Sequence, residues 1–263
     1  MLRINSLSKH FGGVRAVDGL DLAVDEGNIV GLIGPNGSGK STTVNLICGV
    51  FPVTSGRVQL KDRDITAALP HQVLRAGVAR TFQNIRLFQH LTVWQNLWVA
   101  QNGTDNIRGQ SFLGRWLGGR GVAREAVDHA LEFAGLAGKR DELAGALAFG
   151  EQRRLELARA LASNPTMLLL DEPAAGMNVQ EVAELAERLK ALQAAGKTIL
   201  LVEHVMQLVM GVTDRIAVLN FGHKIAEGSP GEIQNNAAVQ EAYLGAGSAP
   251  AGEGEGVEGV GDA

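Results

Sequence analysis

The chain has 263 residues, of which 45% are hydrophobic and 20% charged, which suffices for one large domain or two small domains with a buried core. The net charge is −4, but residues 246–263 carry four acids and no Lys or Arg, so the rest is about neutral and broad attraction to nucleic acid is not expected. We expect neither export nor a membrane span, because the sequence has no signal segment and no long apolar run, and the single cysteine, Cys48, favours a reducing cytoplasm.

Short apolar runs predict a sheet. The first part of the chain, to about residue 60, has candidate strands at residues 2–7, 16–24 and 57–60. Later runs at residues 167–170 and 198–202 are each bounded by helical segments. This alternation indicates a largely parallel sheet that helices bury on both faces.

One glycine-rich stretch fits the G-x-x-x-x-G-K-[ST] pattern of a phosphate-binding loop. The flanking residues 28–33 predict a buried strand and residues 43–48 an apolar-faced helix, in the order that such a loop requires. Glycines let backbone N–H groups turn toward oxyanions, and the helix presents its positive end. The predicted nucleotide-binding residues are Gly34, Pro35, Asn36, Gly37, Ser38, Gly39, Lys40, Ser41 and Thr42.

Two residues of this loop have specific chemical roles. Lys40 would supply a charge for the β and γ phosphates, and the Ser41 hydroxyl is placed to bind Mg²⁺. A phosphate-binding loop alone leaves kinases, GTPases, helicases and transport ATPases open. Five further elements narrow this choice.

The middle of the chain, about residues 84–162, changes to helix and loop. Val93, Trp94, Leu97 and Trp98 recur at helical spacing, which predicts a helical subdomain inserted into the sheet domain. Core packing explains the two tryptophans better than a partner groove does. The glycine-rich residues 103–121, with several arginines, indicate a solvent-facing loop rather than a lobe that touches a partner or a lipid surface.

A second glycine-containing turn opens an amphipathic helix within this middle part. It comprises Ala148, Phe149, Gly150 and Glu151, and it offers a second phosphate-facing helix end. Two such ends cannot easily hold one nucleotide from opposite sides in one small domain. A head-to-tail dimer, in which each subunit lends this turn to its neighbour's nucleotide, resolves the geometry.

The apolar strand at residues 167–170 ends in two carboxylates. Asp171 is suited to hold Mg²⁺ through water, and Glu172 to act as general base on the attacking water. Three other residues indicate a nucleotide site only in combination with these motifs. Gln83 could reach metal and water through its carboxamide oxygen, His204 could donate to a γ-phosphate oxygen, and Phe11 offers a flat face for adenine. Taken alone, they would indicate a surface glutamine, a helix-start or core histidine, and a core aromatic.

In this order the motifs resemble those of ABC transporter ATP-binding subunits, over residues 2–244. The resemblance implies an α/β fold with a P-loop (RecA-like), mostly parallel sheet core, an antiparallel β subdomain and an inserted helical subdomain. It also implies ATP and Mg²⁺ as cofactors, with Ser41, Gln83 and Asp171 at the metal. By resemblance the motifs are the adenine-stacking Phe11, the Walker A loop 34–42, the glutamine-loop Gln83, the signature turn 147–151, Walker B 168–172, the D-loop 175–178 and the switch His204.

Within that family, residues 171–178, 202–210 and 241–245 resemble the ATPase subunits of branched-chain (hydrophobic) amino acid uptake systems. The resemblance implies an ATPase that drives a permease for import from the cytoplasmic face of the inner (plasma) membrane, as a homodimer or with a second ATPase subunit. Residues 1–245 would form the nucleotide-binding domain, and the acidic tail 246–263 would be disordered. The alternatives are an importer of amides, urea or aromatic acids, a soluble ATPase that remodels nucleic acid or ribosomes, and a regulatory subunit.

The chain departs from the family pattern at the signature turn and the D-loop. The signature commonly reads Leu-Ser-Gly-Gly-Gln, whereas Ala148, Phe149 and Glu151 stand at its second, third and fifth places. Ala148 has no hydroxyl for the γ-phosphate, so the turn must rely on backbone N–H groups. Asn178 stands in the D-loop where Asp is common, and this residue and the aromatic Phe149 are similar to the branched-chain subfamily. We expect these changes to affect the rate rather than the reaction.

Overall fold

The structure is a computed structural model, and it describes residues 1–83, 85–101 and 120–245. The predicted tail at 246–263, and most of the glycine-rich segment predicted at 103–121, lie outside the described residues. Ten strands occur in the described part of the chain. They are β1 (Leu2–Phe11), β2 (Val14–Val24), β3 (Ile29–Ile33), β4 (Ser55–Leu60), β5 (Arg63–Asp64), β6 (Val78–Arg80), β7 (Met167–Asp171), β8 (Thr198–Val202), β9 (Arg215–Asn220) and β10 (His223–Gly228).

The α-helices of the described residues follow the same chain order. They are α1 (Lys40–Ile47), α2 (Pro70–Arg75), α3 (Val93–Gln101), α4 (Arg120–Ala134), α5 (Phe149–Ala162), α6 (Val179–Ala194), α7 (Met206–Val212), α8 (Pro230–Gln234) and α9 (Ala237–Gly245). Short 3₁₀ turns at Ala137–Lys139 and Ala144–Ala146 lead from α4 to α5. None of the helices within the described ranges has the length and apolar character that a bilayer crossing requires.

The strands form two sheets. A four-stranded antiparallel sheet has the order β2-β1-β4-β5, and a six-stranded sheet has the order β10-β9-β3-β8-β7-β6. In the larger sheet β10 pairs antiparallel with β9, and the other pairings are parallel. This arrangement confirms the predicted fold class of a mostly parallel core with an antiparallel β subdomain.

The central strands of the larger sheet are apolar because both of their faces are covered. Every residue of β3, β7 and β8 is buried. Leu169 and Leu200 lie in the cluster that includes α1, whereas Leu168 and Ile199 pack with α6 on the opposite face. Parallel strands buried on both sides show no polar alternation, which is why continuous apolar runs predict them.

Helices α3, α4 and α5 form a lobe with its own core, here called the helical lobe. Leu97, Leu131 and Leu155 are fully or almost fully buried at its centre. Trp94 and Trp98 stack with their ring centroids 4.9 Å apart and are partly buried against this core. The tryptophans therefore pack against the core of the lobe, in agreement with the prediction that they are core residues.

Strand bounds in the antiparallel sheet differ from those predicted. β1 continues to Phe11 and β2 begins at Val14, because the two strands form a hairpin around Gly12, whose φ is 56°. Phe11 and Val14 are both exposed at the end of this hairpin. Exposed hairpin ends carry no apolar pattern, so the predicted strands, 2–7 and 16–24, were too short there.

The topology places the loops that follow several strands at one edge of the larger sheet. β3, β6, β7 and β8 run parallel, so their carboxyl ends meet at the same edge. The segments that follow them contain the phosphate-binding loop, Gln83, Glu172 and His204. In open α/β sheets ligands bind at this edge.

Candidate functional site

The backbone of the phosphate-binding loop is held by its neighbours in a shape that requires glycine. Gly34 has a φ of 149°, and a Cβ there would lie 2.1 Å from the carbonyl oxygen of Leu219 in β9. Gly39 has a φ of 106°, and its Cβ would lie 2.5 Å from the carbonyl oxygen of Ala16. The loop is therefore pressed against two strands at points where a side chain has no room.

Lys40 begins α1 and reaches back over the loop. Its Nζ donates to the carbonyl oxygens of Gly34, over 2.7 Å, and of Pro35, over 2.9 Å. Burial lowers the pKa of Lys40, while the charges of Glu172 and Asp171 raise it. The ammonium group is thus partly desolvated and close to two carboxylates, so its electrostatic interactions are stronger than they would be in water.

Asp171 ends β7 as a buried carboxylate with one oxygen to spare. Its Oδ2 accepts a hydrogen bond from Nη2 of Arg80 over 2.8 Å, and its side chain is 3% exposed. Its Oδ1 is buried and has no hydrogen-bond partner within the described residues. A buried, unpartnered carboxylate oxygen fits a ligand position for a hard cation such as Mg²⁺.

Arg80 and Asn45 complete the surroundings of Asp171, and neither was predicted as a site residue from the sequence. Arg80 Nη1 donates to Asn45 Oδ1 over 2.6 Å, which holds the guanidinium beside the carboxylate. Arg80 ends β6, which pairs with β7 in register, so the ion pair depends on strand pairing. Its only sequence signal is a charge at the end of an apolar strand.

Across the ranges that the structure describes, no group of three or more His, Cys, Asp or Glu side chains could hold a metal ion. The predicted ligands Ser41, Gln83 and Asp171 include a hydroxyl and an amide. Such a set suits Mg²⁺, which is usually bound by one or two carboxylates together with substrate phosphates and water.

Glu172 follows Asp171 in an unusual backbone conformation. Its φ is 50°, a left-handed value that costs a residue with a side chain about 1 kcal/mol. Its N–H donates to the carbonyl oxygen of Val202 in β8 over 2.8 Å. The side chain is consequently directed by the paired ends of β7 and β8.

The structure brings Gln83 and His204 to the same carboxylate. Gln83 Nε2 donates to Oε2 of Glu172 over 2.8 Å, and His204 Nδ1 lies 3.9 Å from Oε1. The side chain of His204 is 56% exposed, so it is not a core histidine. Gln83 presents its amide nitrogen to Glu172, whereas its predicted role used the carboxamide oxygen.

A link runs from Gln83 to the helical lobe. The carbonyl oxygen of Gln83 accepts a hydrogen bond from Nη2 of Arg153 over 2.8 Å, and that of Phe82 accepts one from Nη1 over 3.3 Å. Arg153 lies in α5, is almost fully buried, and pairs with Glu156 over 3.5 Å. The segment after β6 is thereby anchored to the lobe.

Phe11 is available at the surface. Its side chain packs edge-on against Phe51, with ring centroids 5.4 Å apart, and Lys9 Nζ lies 4.8 Å from the ring centroid. Phe11 is 44% exposed, which differs from the core position that a lone aromatic would favour. The exposed ring offers a surface on which a base could stack.

The predicted signature turn lies where the helical lobe meets the segment after β7. Ala148 precedes α5, and its N–H donates to Oε2 of Glu151 over 3.1 Å. Lys139 also bonds Glu151, over 3.0 Å, and this contact is the main cause of the lowered pKa of Glu151. Phe149 is half-exposed and packs on Gly176, where a Cβ would lie 2.9 Å from its ring.

The turn and the phosphate-binding loop are not joined within this chain. In the described part of the protein no hydrogen bond or ion pair connects residues 147–151 with residues 34–42. Asn178 of the predicted D-loop instead caps α6, since its Oδ1 accepts from Glu181 N over 3.0 Å. The two predicted phosphate-facing helix ends thus belong to separate parts of the chain.

Comparisons with known families and relatives agree with this geometry. The profile of the ABC transporter family matches residues 17–175, and that of the branched-chain amino acid ATP-binding cassette transporter matches residues 223–249. The high-affinity branched-chain amino acid transport ATP-binding protein BraF of Pseudomonas aeruginosa is 41% identical over 249 residues, covering 93% of this chain and 98% of BraF. Its counterpart LivG of Salmonella typhimurium is 45% identical with the same coverage.

Solved structures show the same architecture. The ADP conformation of MJ1267, an ATP-binding cassette of an ABC transporter, superposes with a TM-score of 0.82 at 33% identity, covering 93% of this chain and 98% of that one. The dimeric post-hydrolysis state of the cassette MJ0796, bound to ADP and phosphate, gives 0.74 at 26% identity over 88% and 99%. This chain therefore belongs to the ATP-binding, ATP-hydrolysing proteins of the ABC transporter family, in their branched-chain amino acid group.

Proposed function

We propose that this chain is the ATP-hydrolysing subunit that drives a membrane permease for the import of branched-chain or other hydrophobic amino acids. The observation that carries the proposal is the contact of Gln83 and His204 with Glu172, at the sheet edge that also holds the phosphate-binding loop. The branched-chain transport relatives BraF and LivG, which match nearly the whole chain, support the cargo class.

Nucleotide binding divides among three groups of residues in this proposal. Phe11 stacks on adenine, and the N–H groups of residues 34–42 with Lys40 hold the phosphates. Ser41, Gln83 and Asp171 would hold Mg²⁺, which neutralises charge on the β and γ phosphates when bound. The unpartnered Oδ1 of Asp171 supports this assignment.

Hydrolysis depends on the groups around Glu172. Its carboxylate orients a water molecule and accepts a proton from it, as the water oxygen bonds to the γ phosphorus and the bond to the β-phosphate oxygen breaks. His204 donates a hydrogen bond to a γ-phosphate oxygen, where negative charge is stabilised. The contact between His204 and Glu172, at 3.9 Å, supports their acting on the same phosphoryl group.

The complete site would need two subunits arranged head to tail. Ala148, Phe149, Gly150 and Glu151 of one subunit would bind the nucleotide held by the loop of the other, either a second copy or a related ATPase subunit. The separation of the two motifs within this chain supports the arrangement. The relative MJ0796 forms a dimer in its post-hydrolysis state.

Coupling to the permease would pass through the helical lobe. Arg153 connects α5 to the backbone of Gln83, so a movement of the lobe is transmitted to the residue that bonds Glu172. We propose that a cytoplasmic helix of the permease docks beside Gln83 and the lobe, at the cytoplasmic face of the inner membrane. The lobe would correspond to the subdomain at about residues 84–162, within a nucleotide-binding domain of residues 1–245.

The test is purification of the chain from membranes of the native cell, with and without detergent. We expect it to co-purify with hydrophobic permease subunits. Vesicles that contain the complex should take up leucine only when ATP is present on the side of the membrane where the chain is bound. Uptake of urea, an amide or an aromatic carboxylic acid in preference to leucine would reject the cargo assignment. ATPase stimulation by DNA or RNA without any co-purified permease would reject the transport function.

A further inference from the structure

A buried carboxylate that has no part in the mechanism above lies next to His204 in the chain. Glu203 follows β8, and its side chain is 0% exposed. Its Oε1 accepts a hydrogen bond from Ala174 N over 2.7 Å, and its Oε2 accepts from His204 N over 2.8 Å and Val205 N over 3.1 Å. Removal of a carboxylate from water is costly, and these backbone donors provide the compensation.

The three N–H groups belong to two different loops. Ala174 is two residues beyond Glu172 in the loop after β7, and His204 and Val205 are in the loop after β8. Between the strands themselves, Asp171 pairs with Val202, and Glu172 N donates to the Val202 carbonyl oxygen. Glu203 therefore joins the two loops just beyond the point where backbone pairing ends.

This position makes Glu203 unsuited to act on water or nucleotide itself. Both of its oxygens are used by backbone donors, and its only ion-pair contact within the described ranges is His204 Nδ1, 3.8 Å from Oε2. The same contacts set the place of His204 relative to the segment that carries Glu172. A role through these neighbours is the one that the geometry allows.

Resting on the proposed function, in which Glu172 and His204 act on the γ-phosphate, we propose that Glu203 is a positioning residue for this pair. It fixes the backbone of His204 and the segment after Glu172 in the relative geometry that hydrolysis requires. Glu203→Gln keeps the size of the side chain but replaces one acceptor oxygen with an NH₂ group. The NH₂ group then lies opposite backbone N–H donors on one of the two loops, so the hydrogen bonding to that loop is lost.

A double-mutant cycle with His204→Ala in the full chain tests the proposal. We expect Glu203→Gln to lower turnover at saturating ATP by about tenfold or more, since small misplacements of reacting groups have effects of that order, with ATP affinity changed less than about twofold. In the His204→Ala background, Glu203→Gln should lower turnover by clearly less than it does in the wild-type background, because the part of its effect that operates through the histidine is then absent. Asp214→Asn is the control, because Asp214, although more exposed than Glu203, also accepts from a backbone donor, Ile29 N over 2.8 Å, at the opposite edge of the sheet.

Two results would overturn the proposal. One is wild-type turnover in folded Glu203→Gln, and the other is an equal loss in both backgrounds, which would mean an effect independent of His204. A purely structural role would lower the thermal midpoint, as we expect of Asp214→Asn, without changing turnover of the folded fraction. Parallel measurement of Glu172→Gln separates the two hypotheses, because full activity of that variant would reject the proposed base rather than the role of Glu203.

If Glu203→Gln does not fold, amide hydrogen exchange in the wild-type protein decides the question. The N–H groups of Ala174, His204 and Val205 share one acceptor side chain, so we expect them to be protected and to open with the same free energy. Exchange of Ala174 that is fast, or that responds to denaturant independently of the other two, would contradict the proposed tie between the loops.

Discussion

Gln83 donates a hydrogen bond from Nε2 to Oε2 of Glu172 over 2.8 Å, and the carbonyl oxygen of the same glutamine accepts one from Arg153 in the helical lobe. One residue thus connects the candidate base with a separately packed set of helices. A displacement of the lobe that moved Gln83 would change the surroundings of Glu172.

Replacement of Glu172 by Gln should leave ATP binding intact and lower turnover by about 10²- to 10⁴-fold, because an amide cannot accept the proton of the attacking water. Phosphate release and a nucleotide titration measure the two effects separately. The control is Glu187→Gln, on the exposed side of α6. Unimpaired hydrolysis by the Glu172 variant would reject the assigned base.

Lys40→Ala should weaken ATP binding by about 10- to 100-fold, the range expected for a lost hydrogen bond to a charged group. Lys40 Nζ also bonds the carbonyl oxygens of Gly34 and Pro35, so the loop should become less ordered. Equilibrium titration with ATP measures the affinity. Lys61→Ala, which removes a half-exposed lysine paired with Glu26, is the control, and equal affinities of the two variants would contradict the prediction.

Ala148→Ser restores the hydroxyl that the signature turn lacks. At the position before α5 it can accept from the N–H of Glu151, whose carboxylate already accepts from Ala148 N, so the free energy of unfolding should rise by about 0.5–1 kcal/mol. We also expect stronger ATP-driven dimerisation, measured by light scattering. A gain in stability with unchanged dimerisation and turnover would show that the missing hydroxyl does not limit activity.

Cys48 should resist thiol reagents in the folded protein. Burial raises the pKa of Cys48 to about 11 from an ordinary value of 9.0, so the reactive thiolate is scarce from pH 7 to 9. Because the folded-state pKa is the higher one, ionisation of this thiol lowers stability as the pH rises from about 9 toward 11. Labelling across a urea series measures the exposure of Cys48, and Cys48→Ala should lack this part of the alkaline destabilisation. Rapid labelling without urea at pH 7 would contradict the prediction.

Local patterns accounted for much of the fold and of the candidate site. The phosphate-binding loop is recognisable because glycine spacing, strand and helix lie within one short segment, and β7 and β8 are continuous apolar runs. Gln83, Glu172 and His204 were predicted as site residues from the order of their motifs and from the family resemblance. That they share one carboxylate became visible only in the structure.

Residues whose contacts arise from strand pairing could not be assigned from the sequence. Arg80 reaches Asp171 because β6 lies beside β7, although the two residues are far apart in the chain. Glu203 was given no role from the sequence, since nothing local shows that its carboxylate bonds Ala174. Its single sequence signal is an acid directly after a fully buried strand, a place where a buried acid needs donors from elsewhere.

The bonds from Lys40 to Gly34 and Pro35 give the loop its shape through contacts that the protein makes with itself. A receptor that is already shaped in this way gives up little chain entropy when its ligand arrives. Capture of nucleotide should then be rapid and nearly independent of any refolding of the loop.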